Sequence, residues 1–124
     1  MKKNVSPYGS WTSPVSAKSI ASGGLKLSEI RVDGDDIYWL ECRPQESGRY
    51  VIVRCKKNGF ISDVFPETFN ARNSVHEYGG GTYAVKDETI YFTNWKDQRM
   101  YKVSGNNLPI PITHEPLIPS GERY

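Results

Sequence analysis

The sequence predicts an all-β fold made of two four-stranded antiparallel meanders, the blades of an incomplete β-propeller. Three observations lead there. Short runs rich in β-branched and aromatic residues alternate with Gly, Asn and Asp turn residues along most of the chain. One such run, Val32-Asp33-Gly34-Asp35-Asp36-Ile37-Tyr38-Trp39, recurs 53 residues later as Val85-Lys86-Asp87-Glu88-Thr89-Ile90-Tyr91-Phe92. A four-stranded unit returning every ~40–50 residues marks propeller blades. Finally, no stretch carries helical periodicity over a useful length.

The elements follow in order. Residues 1–26 are rich in Ser, Gly and Pro, with Tyr8, Trp11, Val15 and Ile20 as apolar anchors. They read as an extended lead-in with a short helical turn at Ser16 to Ala21, ended by Gly23-Gly24. The first blade, 27–66, holds strands at Leu27–Val32, Asp36–Cys42, Arg49–Cys55 and Phe60–Phe65. Asp33-Gly34 and Asn58-Gly59 are its hairpin signals, and Pro66 closes it. A crossing, 67–81, leads to the second blade, 82–113, with strands at Thr82–Val85, Thr89–Thr93, Arg99–Val103 and Ile110–Thr113. Residues 114–124 read as the start of a connection to a further blade, whose first strand would begin near Arg123-Tyr124.

Strand patterning supports stacked blades. A register with Cys42 opposite Arg49 and Cys55 opposite Asp36 places Tyr38, Leu40, Val51 and Val53 on one face. Ile37, Trp39, Tyr50 and Ile52 fall on the other. Both faces are apolar, whereas a sheet with one wet face alternates apolar and polar. The same register separates Cys42 and Cys55 by about 20 Å of strand, beyond disulfide reach. Two thiols in so short a chain suit a reducing compartment, and the cytosol is the expected location.

The stretch from Arg72 to Tyr83 organises the chain. It joins the two similar segments and contains Gly79, Gly80 and Gly81, together with His76 and Glu77. Three consecutive glycines call for positive φ or for close approach of another backbone. In a propeller this segment crosses from the rim of one blade to the axis of the next. Arg72, His76 and Glu77 would therefore arrive near the central channel. Arg72 could hold a carboxylate of substrate or of a neighbouring domain, or pair locally with Asp or Glu.

Other chemistries lack their residues. A His-Glu-x-x-His zinc motif would need histidine where Gly80 stands, so no metal and no cofactor are expected. The glycines open no helix and lack the Lys and Ser/Thr of a phosphate loop. A formal charge of +2, with scattered Lys and Arg, gives no basic footprint for nucleic acid. No apolar run approaches the ~20 residues of a membrane span, and the first residues lack the apolar core of a signal peptide.

Tyr8-Gly9-Ser10-Trp11-Thr12-Ser13-Pro14, Tyr38-Trp39-Leu40-Glu41-Cys42-Arg43-Pro44 and Asn70-Ala71-Arg72-Asn73-Ser74-Val75-His76-Glu77-Tyr78-Gly79-Gly80-Gly81 resemble the N-terminal region of the prolyl oligopeptidase family of serine peptidases. The likeness is to its acylaminoacyl-peptidase and dipeptidyl-aminopeptidase-like branch. Tyr91-Phe92-Thr93-Asn94, Asp97-Gln98-Arg99 and Tyr101 continue it. The resemblance implies a seven- or eight-bladed propeller followed by an α/β-hydrolase domain with a Ser-Asp-His triad, which together act on peptides. This chain has no Gly-x-Ser-x-Gly elbow, so no catalytic residue carries over. The implied role is to gate and shape the peptide chamber, with the rest of the propeller and the hydrolase domain as partners. The alternative is a small β-repeat interaction module. Two blades leave two apolar faces uncovered, so self-association of the chain is expected.

Overall fold

The computed structural model of the chain describes residues 5–75 and 78–116. One short helix, α1 (Ala17–Ala21), precedes strands β1 (Lys26–Asp33), β2 (Asp36–Arg43), β3 (Arg49–Cys55), β4 (Ile61–Asp63), β5 (Tyr83–Lys86), β6 (Thr89–Thr93), β7 (Met100–Ser104) and β8 (Ile110–Pro111). They form two antiparallel sheets in the orders β1-β2-β3-β4 and β5-β6-β7-β8. Ser16 caps α1 through a reciprocal pair with Ser19, whose amide donates to Ser16 Oγ at 3.0 Å. The outermost strands are shorter than the sequence suggests. Pro66 has no N–H to donate, and neither Pro109 nor Pro111 does.

The repeat offset holds at the hairpins. Val32 pairs with Ile37 in the first sheet, and Val85 pairs with Ile90 in the second. The β2–β3 register differs by one residue from the sequence expectation. Cys42 faces Tyr50 rather than Arg49, and Cys55 faces Ile37 rather than Asp36. The cause is the connecting loop. Pro44–Glu46 forms a 3-10 turn, Ser47 is left-handed at φ 57, and the Gly48 amide donates back to the Arg43 carbonyl at 3.1 Å. Arg43 thereby pairs with Arg49 across a shorter loop. A one-residue slip transfers a strand's side chains to the opposite face. Tyr50 and Ile52 thus join Tyr38 and Leu40, while Val51 and Val53 join Ile37 and Trp39.

This register sets two like charges opposite each other, and carboxylates resolve it. Glu46 bonds both Arg43 and Arg49. Arg43 also reaches Glu41 at 2.8 Å and makes a two-point contact with Asp63 at 2.7 and 2.8 Å. Hydrogen bonding to Asp63 raises the Arg43 pKa above its ordinary value. Because β3 lies between β2 and β4, this side chain crosses the Val51 and Val53 face of the first sheet.

The other face of the first sheet, with Tyr38, Leu40 and Ile52, packs on the second sheet's Tyr83, Ile90, Phe92 and Val103. Phe65 stacks on Phe92 at 4.7 Å between centroids, and Phe69 meets Tyr101 edge-on at 5.2 Å. The inner strands are joined by side chains. A bulge between Ser28 and Arg31 places Glu29 at φ 50. Glu29 accepts from the Thr82 amide at 3.0 Å and from Thr82 Oγ1 at 2.8 Å, while Tyr83 donates to its carbonyl at 2.6 Å. Asp33 accepts from the amides of Asp87 and Glu88 at 3.1 and 2.7 Å.

The tyrosines at this junction carry a pH signature. Burial, then the hydrogen bond to Asp97, pushes the Tyr101 pKa up from 10.0 to about 12. Folding therefore favours the neutral phenol, and that contribution is present below pH 10 and lost as pH rises towards 12. In urea titrations, Tyr101→Phe is expected to be less stable than wild type at pH 8, with the gap narrowing between about pH 10 and 12. A gap constant across that range would refute the assignment.

Candidate functional site

The crossing between the sheets is built on asparagines. The Tyr50 amide donates to Asn70 Oδ1 at 3.0 Å, and the Asn70 amide donates to Asn94 Oδ1 at 3.1 Å. The Ala71 amide donates to the Tyr50 carbonyl at 2.9 Å, and the Trp95 amide to the Asn70 carbonyl at 2.8 Å. The Arg72 amide donates to the Thr93 carbonyl at 3.1 Å. Three consecutive residues are thus hydrogen-bonded to both sheets.

Asn73, buried, folds the following loop around itself. Its Oδ1 accepts from the amides of Val75 and Gly80 at 3.3 and 2.9 Å, and its Nδ2 donates to the Gly81 carbonyl at 3.0 Å. Gly79 stands at φ 82, where a Cβ would meet the Asn73 carbonyl oxygen at 3.2 Å. Both glycine properties anticipated for this stretch meet at that one residue. At Gly80 the nearest atom would be 4.0 Å away, and at Gly81 nothing lies within 4 Å. His76 and Glu77 lie outside the described residues.

The Arg72 guanidinium lies over the Trp95 ring at 4.4 Å and the Tyr50 ring at 5.6 Å from their centroids. Among the described residues no carboxylate forms an ion pair with it. Arg72 borders a cleft of about 300 Å³ also lined by Glu29, Lys26, Tyr78, Gly79 and Gly80. The Glu29 carboxylate in that cleft is already engaged by Thr82. Sequence reasoning missed Glu29, Asn73 and Trp95. The run Lys26 to Val32 gives no sign of a bulge, and a lone Asn or Trp carries no motif.

A larger opening of about 540 Å³ lies between the hairpin turns, beside Asp36, Arg54, Lys57 and Glu88. Asp36, Arg54, Lys57 and Glu88 are paired with one another or with near neighbours, and Lys56 lies over the Phe60 ring at 6.0 Å. Arg54 bonds Asp36 and holds its carboxyl below the usual range, and Lys57 reaches Asp35 at 2.8 Å. The junction cleft is the candidate because it brings Arg72 together with Gly79 and Gly80 of the stretch singled out in the sequence. Ser74 bonds Gln98 at 3.0 Å, and among the described residues no cluster of His, Cys, Asp and Glu could hold a metal.

Comparison with known proteins places this geometry. A puromycin-hydrolysing peptidase of Mycobacterium tuberculosis superimposes with a TM-score of 0.87 and 38% identity, over 98% of this chain and 20% of that one. Puromycin hydrolase matches with a TM-score of 0.77 and 32% identity, over 90% of this chain and 18% of its own. A mutant puromycin hydrolase complexed with PGG matches with a TM-score of 0.76 and 33% identity, over 87% of this chain and 18% of its own. The chain thus spans about a fifth of the length of the structures it matches. No protein-family model matches the sequence, and no curated protein does.

The hub at Asn73 should be measurable. Asn73→Ala removes the three hydrogen bonds that hold the loop to a buried side chain and is expected to cost roughly 1–3 kcal/mol. Gly79→Ala combines a left-handed φ with a tight contact and should cost about 1–2 kcal/mol. Gly81→Ala serves as the control. Equal losses at Gly79 and Gly81 in chemical denaturation would contradict this account.

Proposed function

We infer the function of this chain from its resemblance to the N-terminal propeller region of the prolyl oligopeptidase family of serine peptidases. It supplies two adjoining propeller blades that help wall a peptide chamber, and it carries no catalytic group of its own. The observation supporting this most directly is the match over 98% of the chain at 38% identity. Such a wall admits short peptides and turns folded proteins away by size. Its working compartment is the cytosol.

Within that wall, Arg72, His76 and Glu77 border the chamber. The crossing runs from the outer strand β4 to the inner strand β5, so its last residues reach the axis of a closed propeller. A carboxylate there attracts a peptide's free ammonium, and Arg72 attracts a carboxylate or a peptide carbonyl. A charge-assisted contact is worth about 1.5–3 kcal/mol, or roughly 10–150-fold in binding. A second reading, a self-associating interaction module, is favoured by one observation. Exposed apolar side chains collect on the two outer sheet faces, including Val32, Ile37, Ile61, Ile110 and Ile112.

The chamber reading is tested by exchange. Residues 5–116 replace the matching fifth of the M. tuberculosis peptidase, and the chimera is assayed on puromycin and on N-acetylpuromycin. A folded, active chimera is expected. Glu77→Gln and Arg72→Met should each change the free-amine to N-acyl ratio of kcat/KM by about tenfold, with Tm held. An unchanged ratio with lowered Tm would make the crossing a structural junction only.

A further inference from the structure

The two sheets end in outer faces that repeat, by position, the two halves of the junction inside the chain. In the 53-residue offset, Ile37 and Trp39 stand where Ile90 and Phe92 stand in the second sheet. Ile90 and Phe92 pack against the first sheet, whereas the Ile37 and Trp39 face looks away from the second. Conversely, Tyr91 stands at the position of Tyr38. Tyr38 is 0% exposed inside the junction, while Tyr91 is 36% exposed on the outer face with Met100, Ile110 and Ile112. One end of the stack thus offers the upper half of a blade junction, and the other end offers the lower half.

Charge follows the same pattern. Arg54 pairs with Asp36 in its own sheet and reaches Glu88 across the junction at 3.6 Å. Lys102 occupies the position of Arg54, since it faces Tyr91 as Arg54 faces Tyr38. Thr89 replaces Asp36 beside it and bonds Ser104 at 2.9 Å. Among the described residues Lys102 therefore has no carboxylate partner. The position of Glu88 is held in the first sheet by Asp35, an exposed turn residue whose ion pair with Lys57 is itself exposed. Exposed pairs are weak and exchange readily. Lys86 occupies the position of Asp33, whose carboxylate caps the Asp87-Glu88 turn. A lysine cannot accept from those amides, but it adds a second cation facing the place of Asp35.

We propose that a second copy of this chain docks head to tail, its Val32, Ile37 and Trp39 face covering the Tyr91, Met100 and Ile110 face, with Asp35 between Lys86 and Lys102. The proposal rests on the interaction-module reading and names its partner. A symmetric pairing of two second sheets would bring Lys102 towards Lys102. The head-to-tail pairing buries unlike halves and unlike charges instead. Such heterologous contacts extend until a ring closes or continue as an open assembly.

The test is sedimentation velocity on the purified chain at tens of micromolar, with circular dichroism and thermal melting to verify folding. The wild-type chain should associate. Val32→Glu disables one face and Ile110→Glu the other. Each should be monomeric alone, and an equimolar mixture should form a heterodimer. A homodimer in either variant would overturn the head-to-tail arrangement while leaving an interaction module. A monomeric mixture would likewise overturn that arrangement, and a monomeric wild type would overturn both and leave the faces to further sheets of a longer chain. Neither outcome bears on the chimera assay. Lys102→Glu and Asp35→Lys, at exposed sites that leave the apolar faces intact, should each weaken association about fivefold. The double variant should restore it. Failure of the double variant to recover would remove the assigned charge contact.

Discussion

The fold depends on one short piece of backbone that belongs to both sheets. Asn70 to Arg72 bonds Tyr50 in the first sheet and Thr93, Asn94 and Trp95 at the end of β6 in the second. Packed sheets sit about 10 Å apart, and side chains alone set that distance loosely. Here it is fixed by backbone geometry, with each hydrogen bond contributing about 0.5–1.5 kcal/mol net. Phe65 and Phe69 enter the gap from the same crossing, so the segment that joins the sheets also fills the space between them.

The inner edge follows from that spacing. Once β1 and β5 lie side by side, their exposed turn and strand ends need partners. Asp87 and Glu88 both adopt positive φ without being glycine, a cost that most side chains avoid. Their amides turn towards Asp33, which accepts from both. Glu29 does the same for Thr82, and it reaches there only because the bulge turns it out of the strand. Two acidic residues on one strand thus anchor the start of the next blade.

Much of this was legible in sequence because it is local or periodic. Hairpins announced themselves through Asp33-Gly34 and Asn58-Gly59, and Lys86-Asp87-Glu88 reads as a turn between two strand runs, although it holds no glycine. The fold class followed from counting strands between such turns. What stayed hidden depends on tertiary partners. The β2–β3 register turned on how Pro44–Glu46 closes, and a single residue there reassigns a whole strand face. Glu29 lies in a run that reads as plain strand, and Asn73 has a role only when Gly79 and Gly80 fold back over it. At the candidate site, Arg72 could be singled out from its stretch, but not its aromatic setting. Trp95 is 23 positions away in sequence, and Tyr50 belongs to the other sheet.

That setting separates Arg72 from the structural arginines. Arg43, Arg49 and Arg54 give their donors to carboxylates within or beside the first sheet, and Arg99 gives two to the Thr113 carbonyl. A guanidinium so engaged is neutralised and directionally saturated, which suits holding strands together. The rings of Trp95 and Tyr50 stabilise the Arg72 cation through their faces, and among the described residues no carboxylate pairs with it. A chain that needed only another strand clamp would gain more from a carboxylate at this position. Among the described residues Arg72 has the rings of Trp95 and Tyr50 where the strand-clamping arginines have carboxylates or a carbonyl.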